Sequence, residues 1–297
     1  MWRIFRLVLL IGLSYIILLP FLSKISSSFM SQSDLYDHMV KFIPRHPTLT
    51  NIKFVYDYTA YPTAFFNTFF LSLICASLNV FVASVVGYGL ARFQFRGRML
   101  IFAMVIVSMV IPPQTIQISS FMKFKYFDVL GIFQATLGHP LNLVNAPWPV
   151  IFLSATGFSI KNGLYILILR QFFIKVPPEL NEAAEVDGAG AARTFFQIIW
   201  PTARPMASTV FLLAFSWQWL DIYYAGTFFP NYPVLANMVA KVANSMTDTF
   251  GMLYDYSAKQ SMLINTTLLM IIIPLLLLYL IAQKQFVQGI EHSGIVG

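Results

Sequence analysis

The sequence predicts an all-α integral membrane protein that crosses the bilayer six times. Three observations carry this prediction. Of 297 residues, 58% are hydrophobic and 10% charged, and the mean hydropathy is +0.70; a soluble domain carries about 25% charged residues. Six apolar runs recur along the chain, and residues 64–91 reach past the ~20 residues that cross a ~30 Å hydrocarbon core. Arg92, Arg96 and Arg98 follow that run directly, and such basic clusters mark the cytoplasmic side. So little polar surface leaves no room for a separate soluble catalytic domain. The net charge of +7 is spread through loops, so the inside-positive bias explains it better than nucleic-acid binding does. The single cysteine, Cys75, lies in an apolar run and permits no disulfide framework.

Residues 1–22 form the first span. Its apolar run follows Arg3 and Arg6, and the PFLSKISSS that comes next lacks a small-x-small cleavage site, so it is expected to be an uncleaved span, not a signal peptide. Residues 23–63 are polar and form a long outer loop. His38 and His46 lie there without a supporting ligand cluster, so no metal site is expected. Residues 64–91 are the second span. Residues 99–119 are the third, with a kink expected at Pro112 and Pro113 near its outer end. Residues 120–146 form an outer segment, with a short interfacial helix expected within it. Residues 148–173 are the fourth span, interrupted by Lys161, Asn162 and Gly163. Residues 174–204 return inside, 206–229 are the fifth span, 231–260 lie outside, 261–283 are the sixth span, and 284–297 form a cytoplasmic tail. Both termini are then cytoplasmic, in keeping with the denser lysines and arginines of the inner segments.

The segment from Glu182 to Pro201, EAAEVDGAGAARTFFQIIWP, is the one long charged, small-residue stretch between apolar blocks. Pro177 and Pro178 suit a helix start. Glu179, Glu182 and Glu185 place negative charge near the positive end of the helix dipole. Gly188 and Gly190 permit a sharp turn. A second helix is expected from about residue 191 to 200, ending at Pro201. The segment therefore predicts a helix–turn–helix finger between two spans. A bare amphipathic surface hairpin is the simpler alternative.

The spacing of Glu182, Ala183 and Ala184, three residues, Gly188, nine residues, Ile198, one residue, then Trp200 and Pro201 resembles the EAA loop of ABC-importer permeases. That loop reads EAA-x3-G-x9-I-x-LP, and only Trp200 departs from it. The tail QFVQGIEHSGIVG and the RFQFRGR after the second span resemble the maltose-type, multiple-sugar branch of the family. The resemblance implies the type I ABC-importer permease fold with a cytoplasmic coupling helix, in a bacterial cytoplasmic membrane. It implies a non-catalytic, pore-forming subunit. The partners would be a second permease, usually a paralogue, an ATPase homodimer that binds ATP and Mg, and an extracytoplasmic sugar-binding protein. By the same resemblance Glu182, Ala183, Ala184, Asp187 and Gly188 would dock the ATPase, and Phe286, Gly289 and Ile290 in the tail would touch it. The chain has no GxxxxGK[ST], so ATP must be hydrolysed elsewhere.

Charges within spans are costly, about 2.5–3.5 kcal/mol each on insertion scales, and usually face a cavity or a partner. Lys161 lies sixteen residues before Pro177 and Asp221 seventeen after Arg204, so both are expected ~25 Å from the cytoplasmic finger. They either face one translocation cavity, pair with each other, or sit at the outer interface. Around Asp221, Trp217, Trp219, Tyr223 and Tyr224 offer flat faces for sugar rings, and Gln218 and Asp221 offer hydrogen bonds to hydroxyls; an interfacial aromatic belt would use the same residues. If Lys161 faces the cavity, an acidic oligosaccharide becomes more attractive as substrate. Asn79, Asn265, Thr266 and Thr267 read as interhelical hydrogen-bond partners. The competing function is an ion-coupled secondary transporter, which would leave the finger unexplained and favours repeated halves that this sequence lacks.

Overall fold

The computed structural model describes residues 2–37, 39–250 and 256–294. Among the described residues the regular structure is helical apart from one isolated bridge, Phe127 to Leu141. In order the helices are α1 (Trp2–Phe29), α2 (Gln32–Tyr36), α3 (Thr50–Thr59), α4 (Tyr61–Arg92), α5 (Arg98–Val110), a 3-10 turn (Pro113–Ile116), α6 (Gln117–Lys125), α7 (Ile132–Leu137), α8 (Trp148–Thr156), α9 (Asn162–Lys175), α10 (Glu179–Val186), α11 (Ala191–Thr194), a π turn (Phe195–Ile199), α12 (Trp200–Trp219), α13 (Ile222–Phe228), α14 (Leu235–Phe250) and α15 (Tyr256–Gly294).

Four helical segments among the described residues are long and apolar enough to cross a membrane: Trp2–Phe29, Tyr61–Arg92, Ala191–Trp219 and Ala258–Gln283. A fifth arises if α5 and the segment Pro113–Lys125, bent by 97° at their junction, count as one. Proline is the cause of that bend: Pro112 and Pro113 lack the N–H that would extend α5, and the residue before a proline is held out of the helical region. The expected run over 99–119 is thus two helices. The expected run over 148–173 is also two, α8 and α9, because Gly157 adopts φ +81° and closes α8.

The chain divides into two compact units. One comprises the residues up to Asn67 together with Pro233–Leu277. Here α3 packs on α1 and on α14. Lys24 Nζ donates to Asn265 Oδ1 (2.7 Å), and Asn265 Nδ2 donates to Ser27 Oγ (3.3 Å). Asn51 Nδ2 donates to the carbonyls of Ser28 and Met30. Asn265 therefore bonds across helices, whereas Thr266 and Thr267 donate back to Met262 and Leu263 of their own helix. Residues 23–63, expected as a loop, are largely helical and pinned by polar contacts. Asp34, 2% exposed, accepts from the His46 backbone N–H (2.8 Å) and meets its ring Nδ1 (3.0 Å). His38 lies outside the described residues.

The second unit comprises Thr68–Tyr232 and the residues from Leu278. The buried residues of α4 recur at helical spacing, Leu71, Ser72, Cys75, Ala76, Asn79, Val80, Ala83 and Ser84. Most are small, which lets neighbouring backbones approach. α9 packs on α5 and α12. A Cβ on Gly163 would stand 2.7 Å from Met109 Cγ and 3.0 Å from the Val105 carbonyl, so α5 and α9 cross where only glycine fits.

Two outcomes follow. Gly163→Ala should destabilise by about 1–3 kcal/mol through overpacking, while Gly89→Ala, with open space around its position, should be neutral or mildly stabilising; thermal melting of the solubilised protein compares them. Burial pushes the Asp34 carboxyl up, but the hydrogen bonds from His46 and its charge outweigh it, and the carboxyl lies below its usual range. A depressed folded value stabilises above the unfolded carboxylate value and loses that contribution as pH falls through the folded one. Protease cleavage within 31–48 should therefore accelerate on acidification into that range, and Asp34→Asn should be cleaved faster than wild type at neutral pH.

Candidate functional site

The finger is built on an aromatic base. Tyr88 of α4 packs against Phe173 and Phe195, with ring centroids 5.6 and 4.9 Å away. The Arg92 guanidinium donates to the Val176 carbonyl just before Pro177. Above this base, α10 starts at Pro178 with Glu179 and Glu182 in its first turn, where carboxylates suit the helix dipole. It ends in a left-handed cap. Gly188 has φ +75°, its N–H reaches the Glu185 carbonyl (3.0 Å), and the Ala189 N–H reaches that of Ala184 (2.8 Å). This pattern closes helices at glycine. Glu182, Ala183, Glu185, Asp187 and Gly188 are exposed, and Ala184 is 2% exposed, turned into the chain itself. α10 thus presents an acidic, small-residue face to solvent.

The second limb departs from expectation. Pro201 does not end it. From Ala191 the helix runs on to Trp219 through the π turn at Phe195–Ile199, closed by the Trp200 N–H on the Phe195 carbonyl. A π turn widens the helix by one residue. That offsets the ring clash and missing N–H that Pro201 brings.

Behind the finger, in the same unit, lies a cavity of about 330 Å³. Lys161, Trp217, Gln218, Asp221 and Tyr224 all line it. Trp219 does not: it is 2% exposed and stacked on Phe215 at 5.7 Å. The cavity forms where three helix breaks meet. Lys161 ends the break between α8 and α9, where Asn162 Nδ2 donates to the Gly157 carbonyl (3.0 Å) and the Ile160 N–H donates to Tyr224 Oη (3.1 Å). Asp221 sits in the break between α12 and α13, where its Oδ1 accepts from the Tyr223 and Tyr224 N–H groups (2.8 and 3.1 Å). Tyr223 Oη donates to the Pro113 carbonyl (2.6 Å), in the bend between α5 and α6.

The Lys161 ammonium stands 5.0 Å from the Trp217 ring centroid. Trp217 also meets Tyr165, with ring centroids 5.9 Å apart. One face of Trp217 is therefore covered by the cation and is not open to a sugar ring. Asn79, Pro113, Gln114, Ser159, Tyr165 and Tyr223 complete much of the wall. Sequence reasoning points to Tyr223 but misses the other five as lining residues. Tyr165 lies in an apolar run without a polar signal, and Asn79 in the sequence reads as a helix-packing residue. Phe286, Gly289 and Ile290 fall in α15, and their side chains lie outside the described residues.

Tyr224→Phe would leave the Ile160 N–H unpaired. It should destabilise the detergent-solubilised protein by about 1–3 kcal/mol. Asp221→Ser, which keeps an N-cap acceptor, should melt closer to wild type than Asp221→Ala does.

The family model described as a binding-protein-dependent transport system inner membrane component matches residues 80–292. The chain is 26% identical over 297 residues to the galactooligosaccharides transport system permease protein GanQ of Bacillus subtilis, covering 99% of this chain and 95% of that protein. It is 25% identical over 288 residues to the maltodextrin transport system permease protein MalD of Streptococcus pneumoniae, covering 96% of this chain and 92% of that one. Its fold matches a chain of a bacterial ABC transporter involved in the import of the acidic polysaccharide alginate, with a TM-score of 0.72 over 96% of both chains at 18% identity. With a family match spanning the finger and every cavity-lining residue but Asn79, the chain belongs to the binding-protein-dependent transport system inner membrane components.

Proposed function

We propose that this chain is a pore-forming permease subunit of an ABC importer that carries an oligosaccharide into the bacterial cytoplasm. ATP hydrolysis on separate ATPase subunits, which bind ATP and Mg, drives it. The observation that carries the reading is the exposed acidic finger on a chain of this family. Glu182, Ala183, Asp187 and Gly188 offer an ATPase a short, charged helix end with little steric bulk. Ala184 is buried under that helix, so its part in docking is to let α10 seat closely on the chain, not to touch the ATPase. The tail residues Phe286, Gly289 and Ile290 are proposed as a further ATPase contact.

Counting the bent pair and the broken pair α8–α9 as one span each gives six spans, with both termini cytoplasmic. The complex then needs a second permease, for which we propose a paralogue, and an extracytoplasmic sugar-binding protein. Relatives named for galactooligosaccharides and maltodextrin transport support a sugar as cargo. Lys161 lines the cavity, the condition that favoured an acidic sugar. Asp221 in the same wall brings the formal charge of the pair to zero, so we propose an oligosaccharide without assigning it a charge. An ion-coupled secondary transporter is not favoured, because it has no use for the finger.

Co-purification with the neighbouring transport components tests this reading, with Glu182→Ala and Gly188→Pro beside wild type. Wild type should bring down an ATPase whose activity a sugar stimulates through the binding protein, and both variants should lose docking or stimulation. Wild type that purifies alone and moves solute down an ion gradient would sink the importer assignment. Lys161→Met should leave uptake of neutral sugars intact; selective loss of an acidic sugar would restore charge to the substrate.

A further inference from the structure

Asn79 stands out on the buried stripe of α4. On the same helix Ser84 Oγ donates to the Val80 carbonyl (2.6 Å) and Asn67 Nδ2 to the Pro233 carbonyl (2.9 Å), while Ser72 Oγ has no partner among the described residues but lies outside the cavity lining. Asn79 is 3% exposed, and its Oδ1 has no hydrogen-bond partner among the described residues. It also lines the cavity beside Lys161 and Asp221. An unpaired buried amide costs about 1–3 kcal/mol. A helix-packing role would supply a partner on the facing helix, as Asn265 has in the other unit, and Asn79 lacks one. The wall around Asn79 therefore holds hydrogen-bonding capacity that the chain itself leaves unused.

The chemistry of that wall indicates what would use it. Gln114, Ser159 and Gln218 offer uncharged donors and acceptors, and Lys161 and Asp221 offset each other's charge. Tyr165, Trp217, Tyr223 and Tyr224 bring aromatic rings to the same wall, with Trp217 already covered on one face by Lys161. Dense, mixed donors and acceptors beside aromatic rings suit a neutral, hydroxyl-rich ring. We infer that Asn79 is a specificity-determining residue of the permease, hydrogen-bonding a hydroxyl of a neutral sugar as it passes the cavity. This rests on the importer reading proposed above. Asn79 contacts the cargo through its amide, so its loss weakens binding of the sugar without touching the ATPase-docking face.

The test uses the full complex with second permease, ATPase and binding protein, reconstituted in liposomes, as wild type, Asn79→Leu and Asn79→Ser. Galactooligosaccharides and maltodextrins are the probes, and the readouts are KM and kcat for uptake with the melting temperature of the complex. Asn79→Leu should raise KM roughly three- to tenfold, the equivalent of one lost neutral hydrogen bond, with kcat nearly unchanged. Its melting temperature should hold or rise, since an apolar group of similar size replaces an unpaired one. Asn79→Ser should recover part of the KM. An unchanged KM in Asn79→Leu overturns the inference and leaves the importer assignment standing. A lowered melting temperature in Asn79→Leu without sugar shows that the amide holds the fold, through a structural water for instance, and also overturns it. Wild type that takes up neither probe and responds only to acidic sugars refutes the neutral-sugar assignment.

Discussion

The constraint on which the second unit depends is that backbone hydrogen-bonding groups must be satisfied inside the protein wherever an apolar chain departs from the helix. In a lipid environment each unsatisfied group costs several kcal/mol, so irregular backbone persists only where protein or a cavity supplies partners. This chain breaks its helices at Pro112–Pro113, at residues 157–161 and at residues 220–221. All three breaks are knitted by one short stretch. Asp221 caps α13, Tyr224 accepts from Ile160, and Tyr223 donates to Pro113. The cavity lies where these breaks meet. Its polar lining is therefore, in part, the same set of groups that makes the breaks tolerable.

Close helix packing is the second requirement, and it is met by absence of side chain. In lipid the hydrophobic effect does little to press helices together, so van der Waals contact between close backbones carries more of the work. Gly163 allows α9 to cross α5, and Gly87 allows α4 to approach α9, where a Cβ would stand 3.1 Å from the Arg170 backbone nitrogen. These crossings hold α9 at its first turn and along its middle. They thereby position Lys161 at one end and the aromatic base of the finger, with Phe173, at the other.

The finger couples to the same frame. Tyr88 belongs to α4, Phe173 to α9 and Phe195 to the π turn that opens the helix through α12. These rings therefore join α4, α9 and the helix through α12 at the foot of the finger, the same helices that carry Asn79, Lys161 and Trp217.

Much of this was legible in the residues. Composition and the apolar runs determined an all-helical membrane chain, because a bilayer admits few other solutions for such a sequence. The spacing around Glu182 and Gly188 determined a short acidic helix closed by a glycine turn, because both caps depend on local residues alone. Counting residues from the finger suggested one cavity for Lys161 and Asp221, because helical rise is constant, and both line the same one. Tertiary structure decided the rest. The helix through Pro201 continues because a π turn absorbs the proline, a choice set by packing on Tyr88 and Phe173. Trp219 turned into the core while Trp217 faced the cavity, because two positions along a helix differ by ~200° in direction. Asn79 reached the cavity unpaired because its partner, or its lack of one, is settled by helices distant in sequence, which no local pattern records.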